Sequence, residues 1–404
     1  MTSNLRRHLS VAAVAAVLLA VDAAPAVARP APDPSAAQSS AQQLRRDVEA
    51  LHALGISGVQ ARAVGPDGRQ SVATSGTADL HTGRPVDPDG YFRMASTSKT
   101  LIATVVLQLE AEGRLSLDDT VERRLPGVVR LDAEGNGADG STITVRQLLQ
   151  HTSHLTDEGL PGYTTEEEYK EQRYAVYSSE ELVARAMAHK TTPLEWNYAN
   201  TNYLLLDMII QRVTGRPSHQ EIEDRILRPL GLDRTRWTGT TRTLPQPHAR
   251  AYQYYGPASR VDVTRQIPVG YALAWATTTR DENTFLRALV SGRLLPERQL
   301  AEMQRTMGVS GNPQAAKIWP KGTGYGLGLV GIPLGCGGTY WSHEGGDGGY
   351  ITLNGVTADG RRSVVVSMSE ARGDSEEHVL EQEHTAGALV EHALCAGVGG
   401  PGTS

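Results

Sequence analysis

Phe92–Thr100 reads FRMASTSKT, and this stretch decides how the rest of the chain is read. It sets Lys99 three residues after Ser96. The run that follows, TLIATVVLQLEAEG, keeps apolar residues at helical spacing through Leu109 and stops at Gly113. The spacing predicts a helix that starts at the serine. On such a helix, positions i and i+3 share a face about 5–6 Å apart, so the lysine amine reaches the hydroxyl. A serine at a helix N-terminus also sits among free N–H groups and the positive end of the dipole, which favour a developing anion. A hydroxyl is a poor nucleophile without a base, and a lysine amine serves as one when its surroundings lower its pKa. Taken alone, the pair fits a plain helix cap equally well.

Upstream, GVQARAVGPDGRQSVATSGTAD alternates and breaks at Pro66-Asp67-Gly68, a hairpin signature. Helical periodicity precedes it from Ser40 to about Leu54. Between Thr142 and Leu230 the pattern is mostly helical, as in ITVRQLLQHTSHL and SSEELVARAMAHK, the latter with Ser178 or Ser179 placed as a cap. The end returns to strands (GYGLGLVGI, GTYWSHEGG, GYITLNGVTADG, RRSVVVSMSE) and closes on a helix, HVLEQEHTAGALVEHALCAG. Strands, a helical insertion, strands and a helix predict an α+β fold: an antiparallel sheet flanked by helices, with an inserted all-helical lobe at about 115–265.

Arg6 and Arg7, the apolar run Leu9–Val21 and Ala26-Val27-Ala28 form the three regions of a cleaved signal peptide, expected at 1–28. The apolar run is shorter than the roughly 20 residues needed to span a bilayer. A Pro, Ala and Ser rich flexible linker is expected at 29–41, the domain at 42–397 and a tail at 398–404. The expected product is a secreted monomer with no membrane anchor after cleavage. A net charge of −6 with scattered Lys and Arg gives no nucleic-acid footprint. Cys336 and Cys395, outside the cytoplasm and without C-x-x-C spacing, read as a disulfide in preference to a metal site.

Two further stretches decide between the cap and the nucleophile. LEWNYANTNYLLLDMII holds Tyr198-Ala199-Asn200 before a helix, and YWSHEGGDGGY holds His343-Glu344-Gly345 late in the chain. Serine and lysine, then tyrosine-x-asparagine, then a basic residue-x-glycine, in that order, resembles the penicillin-recognising serine hydrolases. Within that superfamily the chain looks most like class C β-lactamases and secreted actinomycete D,D-carboxypeptidases. LQLEAEGRLSLDD, ILRPLGL, GYGLGL and GRRSVVV also fall in family order, so the resemblance covers nearly the whole of the expected mature chain. It implies a β-lactamase/D,D-peptidase-like fold, acylation of Ser96 with Lys99 as base, and Tyr198 as proton carrier. It also implies an oxyanion hole from the backbone N–H groups of Ser96 and Gly346, and substrate binding by Asn200, His343, Glu344 and Gly345. A tyrosine beside a lysine cation is expected to have its phenolate favoured. The implied ligands are small peptides or peptidoglycan-derived substrates, with β-lactams as acylating ligands. No cofactor or metal is implied. The letters of G-x-G-x-x-G at Gly326–Gly331 precede no helix, and His343-Glu344 is not completed to H-E-x-x-H.

The chain departs from the peptidases where their free substrate carboxylate is held. Hydroxyl residues and an arginine are usual there; here stand Glu344, Gly346 and the uncharged run LGLVGIPLG. Lys317 and Lys321, in a strand expected at KIWPKG, are candidate compensators, and Trp275 and Trp341 candidate walls. A D-alanyl-D-alanine carboxypeptidase-type peptidase is the first expectation. A D-amino-acid amidase, aminopeptidase or esterase follows, then a β-lactamase. A non-catalytic binder of cell-wall peptide or penicillin is the reading from another class.

Overall fold

The structure, a computed structural model, describes residues 34–130, 137–257, 259–270 and 273–398. The expected signal peptide and nearly all of the expected tail lie outside the described residues. Helix α1 (Pro34–Ala53) opens the described chain, so the stretch expected as linker is helical from residue 34. Its alanines and glutamines are good helix formers, and Leu44, Val48 and Leu51 on one stripe are buried. The hairpin follows as β1 (Gly58–Val64) and β2 (Gln70–Asp79).

Helix α2 (Ser98–Ala111) is buried along nearly its whole length, and Gly113 ends it with φ of 71°. The inserted lobe carries α3 (Val145–Gln150), α4 (Ser179–Ala186) and α5 (Asn200–Thr214). Ser178 caps α4 in a reciprocal capping box with Glu181. The lobe is not all helical. Tyr252–Tyr254 pairs with Arg260–Asp262 on one side and with Glu370–Ala371 on the other, and Arg236–Trp237 pairs with Trp275–Thr277. These strands are two or three residues long, too short to leave a period-2 pattern.

Helix α6 (Thr279–Val290) leads back to the sheet through β3 (Gly324–Tyr325), β4 (Val330–Pro333), β5 (Thr339–Ser342), β6 (Gly345–Asp347), β7 (Tyr350–Thr357) and β8 (Ser363–Met368), and α7 (Glu376–Cys395) completes the domain. The large sheet is antiparallel, in the order β2-β1-β8-β7-β5-β4-β3 with short strands at both edges, and β6 pairs with β7. Val364, Val366 and Met368 of β8 face the core under α1 and α7, and Val365 faces the core under α6. Burial on both faces explains why SVVVSM is a continuous apolar run. Cys336, in the β4–β5 turn, is disulfide-bonded to Cys395 at the end of α7, with Cα atoms 5.9 Å apart. No helix among the described residues is long and apolar enough to cross a membrane.

Candidate active site

Ser96 does not start α2. It lies in a single 3-10 turn, Ala95–Thr97, immediately before it. Ala95 is held at φ of 49°, the left-handed region that a residue with a Cβ occupies only when its surroundings impose it. The surroundings do so: Met94 N donates to Trp275 O (2.9 Å), Ser98 Oγ to Ala95 O (2.6 Å) and Thr97 Oγ1 to His343 O (2.8 Å). Ser96 is thereby presented to the cleft between lobe and sheet. Lys99 Nζ lies 2.9 Å from Ser96 Oγ and 2.7 Å from Asn200 Oδ1. Burial lowers the Lys99 pKa to about 7, against the opposing pull of Asp157. Near neutrality a large fraction of Lys99 is therefore the free amine, able to accept the Ser96 proton.

Tyr198 corrects an expectation. Its hydroxyl is buried with no hydrogen-bond partner in the resting site, and burial raises its pKa, with only partial opposition from the nearby Ser96 hydroxyl. The Lys99 amine lies 4.9 Å from the ring centroid, over the ring face. That contact does not outweigh the desolvation of a phenolate, so Tyr198 rests as a phenol. His151, at φ of 60°, stacks on Tyr198 with centroids 4.3 Å apart and accepts from Ala199 N and Asn202 Nδ2 at Nδ1. It fixes the segment that carries Tyr198 and Asn200.

Asn200 is not its own helix cap. Asp157 caps α5 across the fold: its carboxylate accepts from Asn200 N (2.8 Å), Asn200 Nδ2 (2.8 Å), Thr201 N (2.9 Å) and Thr201 Oγ1 (3.0 Å). This sets the Asn200 amide so that Oδ1 faces Lys99, leaving one amide hydrogen for a ligand.

The late strand brings the remaining residues together. His343 was expected to bind substrate, but both ring nitrogens are engaged inside the protein, Nδ1 with Glu344 O (2.9 Å) and Nε2 with Tyr325 Oη (2.9 Å). Burial and the neighbouring Lys99 push its pKa down to about 3, so the ring is neutral. Its main chain is clamped by Asn354, which accepts from His343 N (3.0 Å) and donates to His343 O (2.7 Å) and to Glu282 Oε1 (2.8 Å). Gly345 lies so close to the nucleophile turn that a Cβ there would stand 2.4 Å from Met94 O.

Burial raises the Glu282 pKa to about 8, with the Asn354 hydrogen bond opposing. Between the ordinary carboxyl value of 4.5 and about 8 the native state then holds more protons than the unfolded one, so this group lowers stability progressively as pH rises through that window. Glu282→Gln is expected to lose less thermal stability than the native chain between about pH 5 and pH 8. Melting curves across that range check it; parallel curves would place the ionisation elsewhere.

Ser96 and Gly346 stand where two arms of the cleft meet, of about 410 and about 400 Å3. The first arm holds Tyr198, Trp196, Trp319, Ile351, Glu344 and Glu383; the second holds Asn200, Asp157, Leu160, Tyr163, Gln266 and Asp347. Among the described residues, no lysine or arginine lines either arm. KIWPKG is the end of a short helix, Pro313–Ile318, and the loop after it, not a strand; Lys317 pairs with Glu376 instead of turning to the cleft. Trp275 and Trp341 are core residues that line neither arm.

The Beta-lactamase family model matches residues 44–388. The chain belongs to the beta-lactamase family. It is 29% identical over 286 residues to PbpX of Bacillus subtilis (strain 168), a penicillin-binding-protein homologue, covering 69% of this chain and 62% of that one. It thus spans less than two thirds of the length of the curated relatives it matches. Among solved structures it is similar to a D-stereospecific amidohydrolase from Streptomyces sp., at 38% identity and a TM-score of 0.73, covering 87% of this chain and 98% of that one. It is also similar to the D-amino acid amidase of Ochrobactrum anthropi SV3 in complex with D-phenylalanine, at 25% identity and a TM-score of 0.73, covering 88% of this chain and 98% of that one.

In this member of the beta-lactamase family, the residues that sequence reading missed are the ones that hold others in place. Asp157, in HTSHLTDEGLP, carries no motif of its own. His151 precedes it, at the end of a stretch whose pattern is helical, and nothing in that pattern marks it. Glu383 and Trp319 reach the cleft from α7 and from a loop, and no spacing links them to Glu344.

Proposed function

We propose that the protein is a D-stereospecific amidohydrolase that releases an amine as it forms an acyl-enzyme on Ser96 and then hydrolyses that ester. The observation that carries this reading is the absence, among the described residues lining the two arms, of any lysine or arginine to hold a free substrate carboxylate, with Glu344 standing where a carboxypeptidase would need one. Glu344 is half-buried and desolvation raises its pKa, so the obstacle is an unmatched, desolvated substrate carboxylate beside a carboxyl pair. Similarity to the Streptomyces amidohydrolase and the Ochrobactrum amidase supports the same choice. The disulfide supports action outside the reducing cytoplasm.

In this mechanism the Lys99 amine takes the Ser96 proton as Oγ attacks the amide carbonyl. The backbone N–H groups of Ser96 and Gly346 receive the oxyanion, each contributing roughly 3–4 kcal/mol. Tyr198, held as a phenol, donates its proton to the leaving nitrogen and is reprotonated from the Lys99 ammonium. The cycle returns both groups to their resting forms. Water then attacks the ester by the same path and frees the acid. The second arm takes the acyl residue, with Leu160, Leu204 and Leu273 as its apolar wall.

A D,D-carboxypeptidase stands second, favoured by the likeness to penicillin-binding homologues. Turnover of a D-Ala-D-Ala peptide, its C-terminal amide and a D-amino acid amide separates the two. The amides are expected to exceed the free acid by about tenfold or more in kcat/KM, the equivalent of about 1.4 kcal/mol, with the L-amide inert. Preference for the free acid would establish the carboxypeptidase. Failure of a reactive fluorescent penicillin or phosphonate to label Ser96 would leave only a binder.

A further inference from the structure

We infer that the first arm of the cleft, closed by Trp319, Glu344 and Glu383, is a subsite for a cationic group, an ammonium or guanidinium carried on the leaving side of the scissile amide. The inference rests on the amidohydrolase reading and deepens it. Tyr198 lines this arm and not the other, so a leaving nitrogen protonated by Tyr198 departs into it. At its far end Glu344 Oε1 accepts from Trp319 Nε1 at 2.7 Å. Across from it, Glu383 Oε2 is sealed from solvent and has no hydrogen-bond partner. A buried carboxyl oxygen without a donor costs stability, and at the wall of a cleft a ligand can supply the missing donor.

The two carboxyls repel each other, and burial with that repulsion raises the Glu383 pKa to about 8. No lysine or arginine among the described residues lines the arm itself; Lys317 lines the adjoining cavity that Glu344 and Glu383 also border, and there it is paired with Glu376. Trp196 and Trp319, with ring centroids 6.1 Å apart, add indole faces that attract a cation. The acids of the second arm are differently placed. Asp157 is already held by three N–H donors, and Asp347 accepts from Gln266 Nε2 (2.9 Å) with Arg93 3.9 Å away. Unspent acidity is therefore confined to the leaving side.

Three amides of D-alanine test this: with 1,4-diaminobutane, whose free end is an ammonium; with pentylamine, its neutral counterpart; and with 5-aminopentanoate, its anionic one. The ammonium amide is expected to exceed the pentyl amide on the order of tenfold in kcat/KM, and the carboxylate amide on the order of a hundredfold. In Glu383→Gln, and separately in Glu344→Gln, the ratio of ammonium to pentyl amide is expected to fall to about two or less. Equal turnover of the ammonium and pentyl amides by the native protein would overturn the cationic subsite while leaving the amidohydrolase reading intact. A ratio unchanged in both variants would also overturn it. Failure to cleave any of the three, with cleavage of a D-Ala-D-Ala free acid, would overturn both.

Discussion

Lys99→Met is expected to lower kcat/KM by about a thousandfold, within the 10²–10⁴ range of a positioned general base. The expectation comes from the fold around the amine. Lys99 is buried, within hydrogen-bond reach of Ser96 Oγ, and burial brings its pKa to about 7. The active form is the unprotonated one, so the native kcat/KM is expected to rise with pH through a single ionisation near 7 and then level. Methionine keeps the length and packing of the stem but removes the base, and that ionisation disappears with it. Lys99→Arg is expected to restore nothing, because a guanidinium does not give up its proton. A pH profile of kcat/KM for native and Lys99→Met, using a D-amino acid amide, checks both statements. A native profile flat across pH 6–8, or full activity in the arginine variant, would remove Lys99 from the role of base.

Gly345→Val is expected to be nearly as damaging from the other side of the cleft. A Cβ at 345 would meet Met94 O at 2.4 Å and Ser96 N at 3.3 Å, and both are main-chain atoms that cannot rotate away. Strand β6 must then separate from the nucleophile turn, which stretches the Thr97 Oγ1 to His343 O hydrogen bond and moves Gly346 away from Ser96. Overpacking of this kind costs roughly 1–3 kcal/mol of stability, and loss of one oxyanion donor alone costs about 10²–10³ in kcat. Gly346→Ala is the informative companion. There the Cβ would meet only the terminal carbon of Ile351, at 3.1 Å, and a small adjustment of that side chain absorbs it. Melting temperature and the rate of Ser96 labelling by a fluorescent penicillin compare the two. Equal effects would show that contact with the nucleophile turn is not what Gly345 is for.

Much of this is legible in the amino-acid sequence. The hairpin at Pro66–Gly68, the cap at Ser178 and the glycine stop at Gly113 are local signals, and local hydrogen bonds decide them. Ser96, Lys99 and Tyr198 were readable because order along the chain and motif context reinforce each other. What was not legible depends on burial. Tyr198 was expected to ionise readily beside a cation, yet desolvation wins once the hydroxyl is sealed in. His343 has the letters of a substrate-binding residue, and only the positions of Tyr325 and the Glu344 carbonyl show that its ring is already occupied. Asp157 lies more than forty residues from the helix it caps. Such partnerships exist only in three dimensions.

The Asn354 clamp has a consequence for how this site can change. It grips the main chain of His343 and reaches back to Glu282 on α6, so the strand facing Ser96 is anchored from behind by groups that never meet a ligand. The acylating parts are thus welded to the rigid frame, while Trp319 and Glu383 approach from a loop and a flanking helix. Part of the selectivity is thus separable from reactivity, while Glu344 rides on the clamped segment itself. A lineage, or an engineer, can exchange what the cleft admits by editing that rim and leave the chemistry at Ser96 undisturbed.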